Sequence, residues 1–331
     1  VASAFDVHKR RHSRFFKRKQ DAENWLHEQR LARQLGNSTY ALDGRATVAQ
    51  FLLGWIEQYR GNIRPNTYRN YLEAINSRIN PYIGDLNASK LSPLSIEKLY
   101  GELRAGGYRA GSIKIVHRVL SVAYNHAVRM EVMPRNPVAK VRIPKLESNP
   151  TKHIPMEDYQ TILAFASWNP YMHARVIVGM CMGLRNGEIF GLRWSDVDWS
   201  NRRLTIERQV QRVKGEGLGF HPVKQGTIRT IPLTENWVVA LETHRKFQNL
   251  EKGKWVIDRG LIFPNDKGDF LDAKQDWKRW KQLLSSAGLP MYEPRQMRKT
   301  AFTYMAQKTD IKTLMEFSGH TQVSTLMKSY V

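Results

Sequence analysis

The sequence predicts a mainly α protein with a small antiparallel β-sheet: a four-helix domain followed by a mixed α/β domain. Three observations carry that reading. Apolar residues recur at helical spacing across 45–140, with cap residues ahead of several runs. A basic, proline-flanked stretch at 141–150 then reads as a linker. Beyond it, over 151–331, helical patterns enclose one alternating, extended section.

Residues 1–40 come first. Lys9, Arg10, Arg11, Arg14, Lys17, Arg18 and Lys19 crowd a short stretch, with Phe15 and Phe16 between them. Asp21-Ala-Glu-Asn-Trp-Leu then opens a helical pattern that runs to about Leu35 and stops at Gly36-Asn37. A basic, aromatic-interleaved strand followed by a helix suits contact with a DNA backbone or groove. A solvated basic tail is the ordinary alternative; Trp25, Leu26 and Leu31 oppose it, since they need something to pack on.

In the second unit Thr47 caps a helix through Tyr59, whose positions Val48, Phe51, Leu52, Trp55 and Ile56 share one face. Pro65 starts a second helix that ends near Pro81 and Gly84, and Ser92-Pro93 opens a third that ends at Gly106-Gly107. The fourth runs from about Ala110 to Val132, after which Pro134, Pro137 and Pro144 break the chain. The apolar stripes read as core. Arg64, Arg69, Arg78, Arg109, Lys114 and Arg118 are candidates for DNA contact, although any one surface cation is more often simply solvated.

Past the linker, helices are expected at about 156–167 and 170–182. Leu204, Ile206 and Val210 then alternate with polar neighbours, and Gly215 and Gly217 turn the chain. Pro222-Val-Lys and Ile228-Arg-Thr-Ile-Pro-Leu flank a turn at Gln225-Gly226, completing the small sheet. From Glu235 helices are expected to resume to the end.

Composition narrows the partners. The 331 residues hold 52 Lys and Arg against 30 Asp and Glu, a net charge of +22. Such an excess repels itself in a compact state, and a polyanion is its usual counterpart. The cations are spread over the whole chain, which argues against a single basic tail. No apolar stretch is long enough to span a bilayer, and no amphipathic basic helix stands out as a membrane anchor. Nucleic acid is the favoured partner. The single cysteine, Cys181, rules out an internal disulfide framework and points to a reducing, cytoplasmic compartment. The sequence opens on Val1 rather than methionine, as a piece of a longer chain would.

Four cationic clusters then stand in an order that a phosphate-attacking site would need. They are Gly183-Leu-Arg-Asn-Gly-Glu188, Pro222-Val-Lys-Gln-Gly226, Arg295-Gln-Met-Arg-Lys-Thr300 and Ser318-Gly-His320, the last followed by Tyr330. Each has an ordinary reading. Arg185 and Glu188 have the spacing of a helix-surface ion pair, Lys224 beside a turn is usually solvated, and Arg295 and Arg298 suit one face of a helix begun by Pro294. Gly183 and Gly187, however, suggest a sharp turn into a new helix capped by Asn186, and helix starts favour phosphate. Unbroken helix would hold His320 and Tyr330 about 15 Å apart. For both to reach one phosphate the chain would have to break between Gly319 and Ser324, with a new helix, capped at Ser324, carrying Tyr330.

Over about 45–331 the chain resembles the tyrosine recombinases, specifically the phage- and mobile-element-type integrases. The resemblance is strongest in Gly183–Trp199, in Lys224 with Arg229-Thr-Ile-Pro-Leu, in Arg298-Lys-Thr, and in Ser318-Gly-His with Tyr330. It implies a helical core DNA-binding domain and a mixed catalytic domain that clamp duplex DNA, with residues 1–40 similar to the end of an arm-binding module. By position, Arg185 and Arg298 resemble the arginines that bind the scissile phosphate, and Glu188 the acidic residue that supports the first. Lys224 resembles the lysine that assists the leaving 5′ oxygen, His320 a further phosphate ligand, and Tyr330 the nucleophile that forms a 3′-phosphotyrosine. Two departures appear. Arg295 stands where the family usually has histidine, and a permanently protonated arginine is a poor general base although it can hydrogen-bond a phosphate oxygen. The sequence also stops at Val331, where members normally continue into a segment that docks on a neighbouring subunit.

The resemblance implies site-specific recombination of DNA by a homotetramer without metal or other cofactor, in a bacterial host cell at the nucleoid. Accessory DNA-bending or directionality proteins would be further partners. A Xer-like or transposon-resolving recombinase is the near alternative. A type IB topoisomerase shares the chemistry, and a non-catalytic DNA-binding regulator would keep the charge without needing the ordered clusters.

Overall fold

The computed structural model describes residues 2–5, 11–15, 46–143, 152–213, 215–223, 228–319 and 322–330. The chain divides into two compact units, Val1–Ser148 and Asn149–Val331. The helical pattern read over 21–35 lies outside the described residues. No described helix is long and apolar enough to cross a membrane.

The first unit opens with an antiparallel pair, β1 (Ala2–Phe5) and β2 (Arg11–Arg14), in which Ala2 faces Arg14. Helix α1 (Val48–Tyr59) starts where a capping box closes: the Thr47 hydroxyl accepts from the Gln50 N–H, and the Gln50 side chain accepts from the Thr47 N–H. Its five buried residues are the five the periodicity selects, Val48, Phe51, Leu52, Trp55 and Ile56. Helix α2 (Pro65–Ala74) passes through a π turn, Ile75–Ile79, into the short α3 (Asn80–Ile83). Pro81 is the cause: it lacks an N–H and its ring crowds the preceding turn, so the ladder widens instead of ending. Ser92 caps α4 (Pro93–Ala105), and α5 (Ala110–Arg129) follows. The inward faces of these helices merge into one apolar core around Trp55, Tyr100 and Tyr124.

In the second unit α6 (Met156–Ala166) precedes α7 (Pro170–Val176), which continues through a π turn to Cys181. A turn at Gly183 leads into α8 (Asn186–Gly191). Where one small sheet was expected, the described strands of this unit fall into two. Strands β3 (Val197–Asp198), β4 (Arg203–Ile206) and β7 (Arg229–Pro232) make one antiparallel ladder, while β5 (Arg208–Val213) and β6 (Gly217–Pro222) form a separate hairpin. The hairpin is held against α8 at close range. A Cβ on Gly191 would come within 3.0 Å of Gln209 Cα, and one on Gly187 within 3.1 Å of the Val210 carbonyl. Helix packing thus directs β5 away from the ladder of β4.

Helix α9 (Glu235–Glu251) comes next, but helices do not simply resume from it to the end. Residues 255–272 are non-helical because Leu261, Ile262 and Phe263 are all buried, which an extended segment achieves beside Leu192–Trp194. The Ile262 N–H donates to the Leu192 carbonyl at 2.9 Å, and the Trp194 N–H to that of Gly260 at 2.9 Å. The chain closes with α10 (Ala273–Ser286), α11 (Pro294–Met305), α12 (Ile311–Ser318) and α13 (Val323–Tyr330).

Candidate active site

The turn into α8 builds the centre of the site. Gly183 has φ +69°, a left-handed conformation that glycine adopts without strain. A Cβ there would also lie 2.8 Å from the Phe302 ring, so the turn seats directly on α11. Arg185 occupies the N-cap position of α8, and Asn186, expected as the cap, is the first helical residue. Its side chain is already engaged, because Asn186 Oδ1 accepts from Arg175 Nη2 at 3.1 Å. Glu188 takes the capping role from within the helix, accepting the Arg185 N–H at 3.0 Å.

The Glu188 carboxylate is fully buried and receives four hydrogen bonds from described residues. Besides the Arg185 N–H, it accepts from Arg185 Nη1 at 2.8 Å and from Arg229 Nη1 and Nη2 at 3.2 and 2.7 Å. Burial pushes this carboxyl up, yet the Arg229 hydrogen bonds and charge, then the charge and N–H of Arg185, outweigh it and hold the group at about 2. A carboxyl depressed in the fold contributes stability above its unfolded value of about 4.3. That contribution is lost as pH falls from there through about 2. The difference in unfolding free energy between wild type and Glu188→Gln is therefore expected to be flat above about pH 5 and to shrink below it, as denaturant titration across that range would measure.

Arg298, one turn into α11, ties two clusters together. Its Nη1 donates to the Gly183 carbonyl and its Nη2 to the Ser318 carbonyl, each at 2.7 Å, and its guanidinium lies 4.7 Å over the Phe302 ring. Arg229 reaches the same turn from β7, with Nε donating to the Phe317 carbonyl at 2.9 Å. Gly319 ends α12 at φ +65°, and a Cβ there would come within 3.3 Å of Arg229 Cδ. The described structure therefore brings Arg185, Glu188 and Arg298 together, joined by Arg229 and the Ser318–Gly319 turn.

The other candidates are placed differently. Arg295 is exposed in the first turn of α11, paired with Glu293. Lys224 and His320 lie outside the described residues. Tyr330 is the last residue of α13. The chain breaks after Gly319 as the spacing requires, but α13 starts at Val323, so Ser324 is a first-turn residue and not its cap. Burial of Leu326 with Phe302 and Leu314 fixes this helix on α11 and α12, and it outweighs the preference for serine at a cap.

In the first unit Arg64 is exposed at the N-cap of α2, and Arg69 Nη2 donates to Asn66 Oδ1 at 2.8 Å. Lys114 and Arg118 are exposed on α5. Burial raises the Tyr71 phenol of α2, and the charge of Arg118 on α5 opposes it. Arg78 pairs with Glu73 at 2.7 Å. Arg11 begins β2, whereas Lys9, Arg10, Lys17 and Arg18 lie outside the described residues.

Sequence reasoning assigned no role to Arg229. The signal was present: Arg229, Ile231 and Leu233 alternate with Thr230 and Pro232, so the arginine falls on the inward face of its strand. An inward-facing arginine requires a buried anion, and Glu188 is that anion.

Residues 152–331 match the phage integrase family, and residues 47–104 match the phage integrase N-terminal SAM-like domain. The chain belongs to the phage integrase family and is a tyrosine recombinase. The XerC-like tyrosine recombinase of Caldanaerobacter subterraneus subsp. tengcongensis is 26% identical over 315 residues, covering 86% of this chain and 78% of that protein. In fold, the chain is similar to the Tn1549 transposon integrase in complex with a circular intermediate DNA, with a TM-score of 0.76, 20% identity and coverage of 86% and 95% of the two chains. It is also similar to a lambda integrase tetramer bound to a Holliday junction, with a TM-score of 0.65, 18% identity and coverage of 98% and 91%.

Proposed function

We propose that this protein is an integrase-type recombinase that cleaves and rejoins duplex DNA through a 3′-phosphotyrosyl intermediate. The observation that carries the reading is the convergence of Arg185 and Arg298 on one turn, with Glu188 buried behind them. In the proposed reaction Arg185 and Arg298 bind the non-bridging oxygens of the scissile phosphate, with His320 and Arg295 as further hydrogen-bond donors. The Tyr330 hydroxyl gives up its proton to solvent as its oxygen attacks phosphorus, the bond to the 5′ oxygen breaks, and Lys224 delivers the proton that the 5′ oxygen takes up. A 5′-hydroxyl from a second strand reverses the step, forming a new phosphodiester and releasing the tyrosine. Clustered cations stabilise the charge that develops on the phosphate during both displacements.

Duplex DNA is the proposed substrate, and the net charge of +22 supports it. A homotetramer on two sites is the proposed assembly, in line with the lambda integrase tetramer on a Holliday junction. The exposed cations Arg64, Lys114 and Arg118 are proposed to hold the backbone rather than to read bases.

The test is covalent capture. The protein is incubated in EDTA with a pool of nicked duplexes of randomised sequence. An SDS-resistant adduct is expected, with the DNA on the peptide that contains Tyr330; no adduct, or an adduct elsewhere, overturns the reading. Exchange between two copies of a recovered site then separates a recombinase from a topoisomerase. Arg298→Ala should lower the adduct rate by about 10²–10³, the effect of deleting one oxyanion donor. Single-turnover capture with wild type alongside would measure it.

A further inference from the structure

We infer that Arg229 is a positioning residue for this reaction: it neutralises Glu188 from behind, so that the charge of Arg185 remains available to the phosphate. The inference rests on the proposed reading of Arg185 as a phosphate ligand. It begins from an asymmetry in burial. The Arg185 side chain is 25% exposed, that of Arg229 6%, and Glu188 between them is fully buried. Of the two arginines, Arg185 is the one a ligand can reach.

Arg185 and Glu188 alone would form a neutral pair, and a neutral pair offers a phosphate a dipole instead of a cation. Arg229 changes the sum to a net positive cluster. Its guanidinium fork covers both carboxylate oxygens at 3.2 and 2.7 Å, whereas the Arg185 side chain holds one at 2.8 Å. Fork geometry of this kind is the strong form of a carboxylate contact. Low local dielectric inside the unit makes the compensation larger than it would be at a surface. The third Arg229 donor, Nε, holds the Phe317 carbonyl two residues before Gly319, so the same side chain also sets the turn that follows α12.

A structural role and a charge role predict different couplings. Under the charge role, Arg229→Gln leaves Glu188 with Arg185 as its cationic partner, and cleavage should fall by about 10², as for a lost oxyanion donor. Adding Glu188→Gln removes the unbalanced anion. The double variant should then recover about tenfold over Arg229→Gln, a coupling within the range seen for contacting groups. If Arg229 only anchors Phe317, the double variant stays as slow as the single, or slower. Arg229→Lys keeps the charge and loses the fork, so it should outperform Arg229→Gln.

The experiment measures two quantities in wild type, Arg229→Gln, Arg229→Lys and Glu188→Gln/Arg229→Gln. One is the covalent capture rate; the other is affinity for inorganic phosphate, read from the shift in melting temperature. The expected order in both is wild type, then Arg229→Lys, then the double variant, then Arg229→Gln. A double variant no better than Arg229→Gln overturns the inference. If phosphate affinity follows the order and wild type gives no adduct, the reading of the reaction fails and the charge role stands. Should Arg229→Gln not fold, a double variant that binds phosphate no better than Glu188→Gln/Arg229→Gln/Arg185→Ala overturns the inference instead.

Discussion

Replacing Tyr330 by phenylalanine is expected to abolish the protein–DNA adduct while leaving DNA affinity unchanged. The substitution removes one oxygen, and under the proposed reaction that oxygen forms the bond to phosphorus. Deleting a nucleophile that works within a catalytic unit costs about 10⁶ in rate, so the adduct should fall below detection. Affinity for duplex DNA is set by phosphate contacts made by cations, none of which the substitution touches. The helix should persist too, since Leu326 docks α13 on Phe302 and Leu314 independently of the terminal residue. Gel-shift titration and covalent capture on the same samples separate the two effects.

The remaining tyrosines of the catalytic unit argue that no other phenol would substitute. Burial raises Tyr159 and Tyr304, and it pushes Tyr171 and Tyr292 up to about 12. The Tyr304 hydroxyl donates to the Ile154 carbonyl at 2.9 Å, and that of Tyr292 donates to Asp158. A phenol whose ionisation its surroundings oppose is a weaker nucleophile. An adduct that survives in the phenylalanine variant would overturn the assignment of Tyr330 as nucleophile.

What the sequence made legible was local. The face of α1, the caps at Thr47 and Ser92, and the start of α2 at Pro65 depend on residues within a few positions of one another. The turn at Gly183 was readable for the same reason: glycine, arginine and an acid three residues later are neighbours along the chain. What failed depended on contacts from far away. Asn186 looks like a cap until Arg175 claims its side chain. The split of one expected sheet into two follows from α8 packing on β5, and the extended run through Leu261–Phe263 follows from a strand partner about seventy residues earlier. Arg229 belongs with these, since the carboxylate that explains it lies on another element.

The buried pair Arg175–Asp276 is another such hidden contact, and removing its acid is expected to be severe. Arg175 Nε donates to Asp276 Oδ1 at 2.9 Å and Nη2 to Oδ2 at 2.8 Å, with both side chains almost inaccessible. The guanidinium also reaches Met297 Sδ at 3.7 Å, so it sits where α7, α10 and α11 meet. Asp276→Ala leaves that charge buried without its counter-ion, which costs about 3–5 kcal/mol, or roughly 6–20 °C in Tm for a domain of this size. Arg175→Met/Asp276→Leu replaces the pair with apolar groups of similar volume and should recover most of the loss. Calorimetry on the two variants tests that contrast. The double variant then isolates a second effect, because Arg175 Nη2 also holds Asn186, the residue after Arg185. With the fold restored and that bond gone, the first turn of α8 loses a tether, and capture should be slower than in wild type. If the double variant regains both Tm and capture rate, the pair serves folding alone.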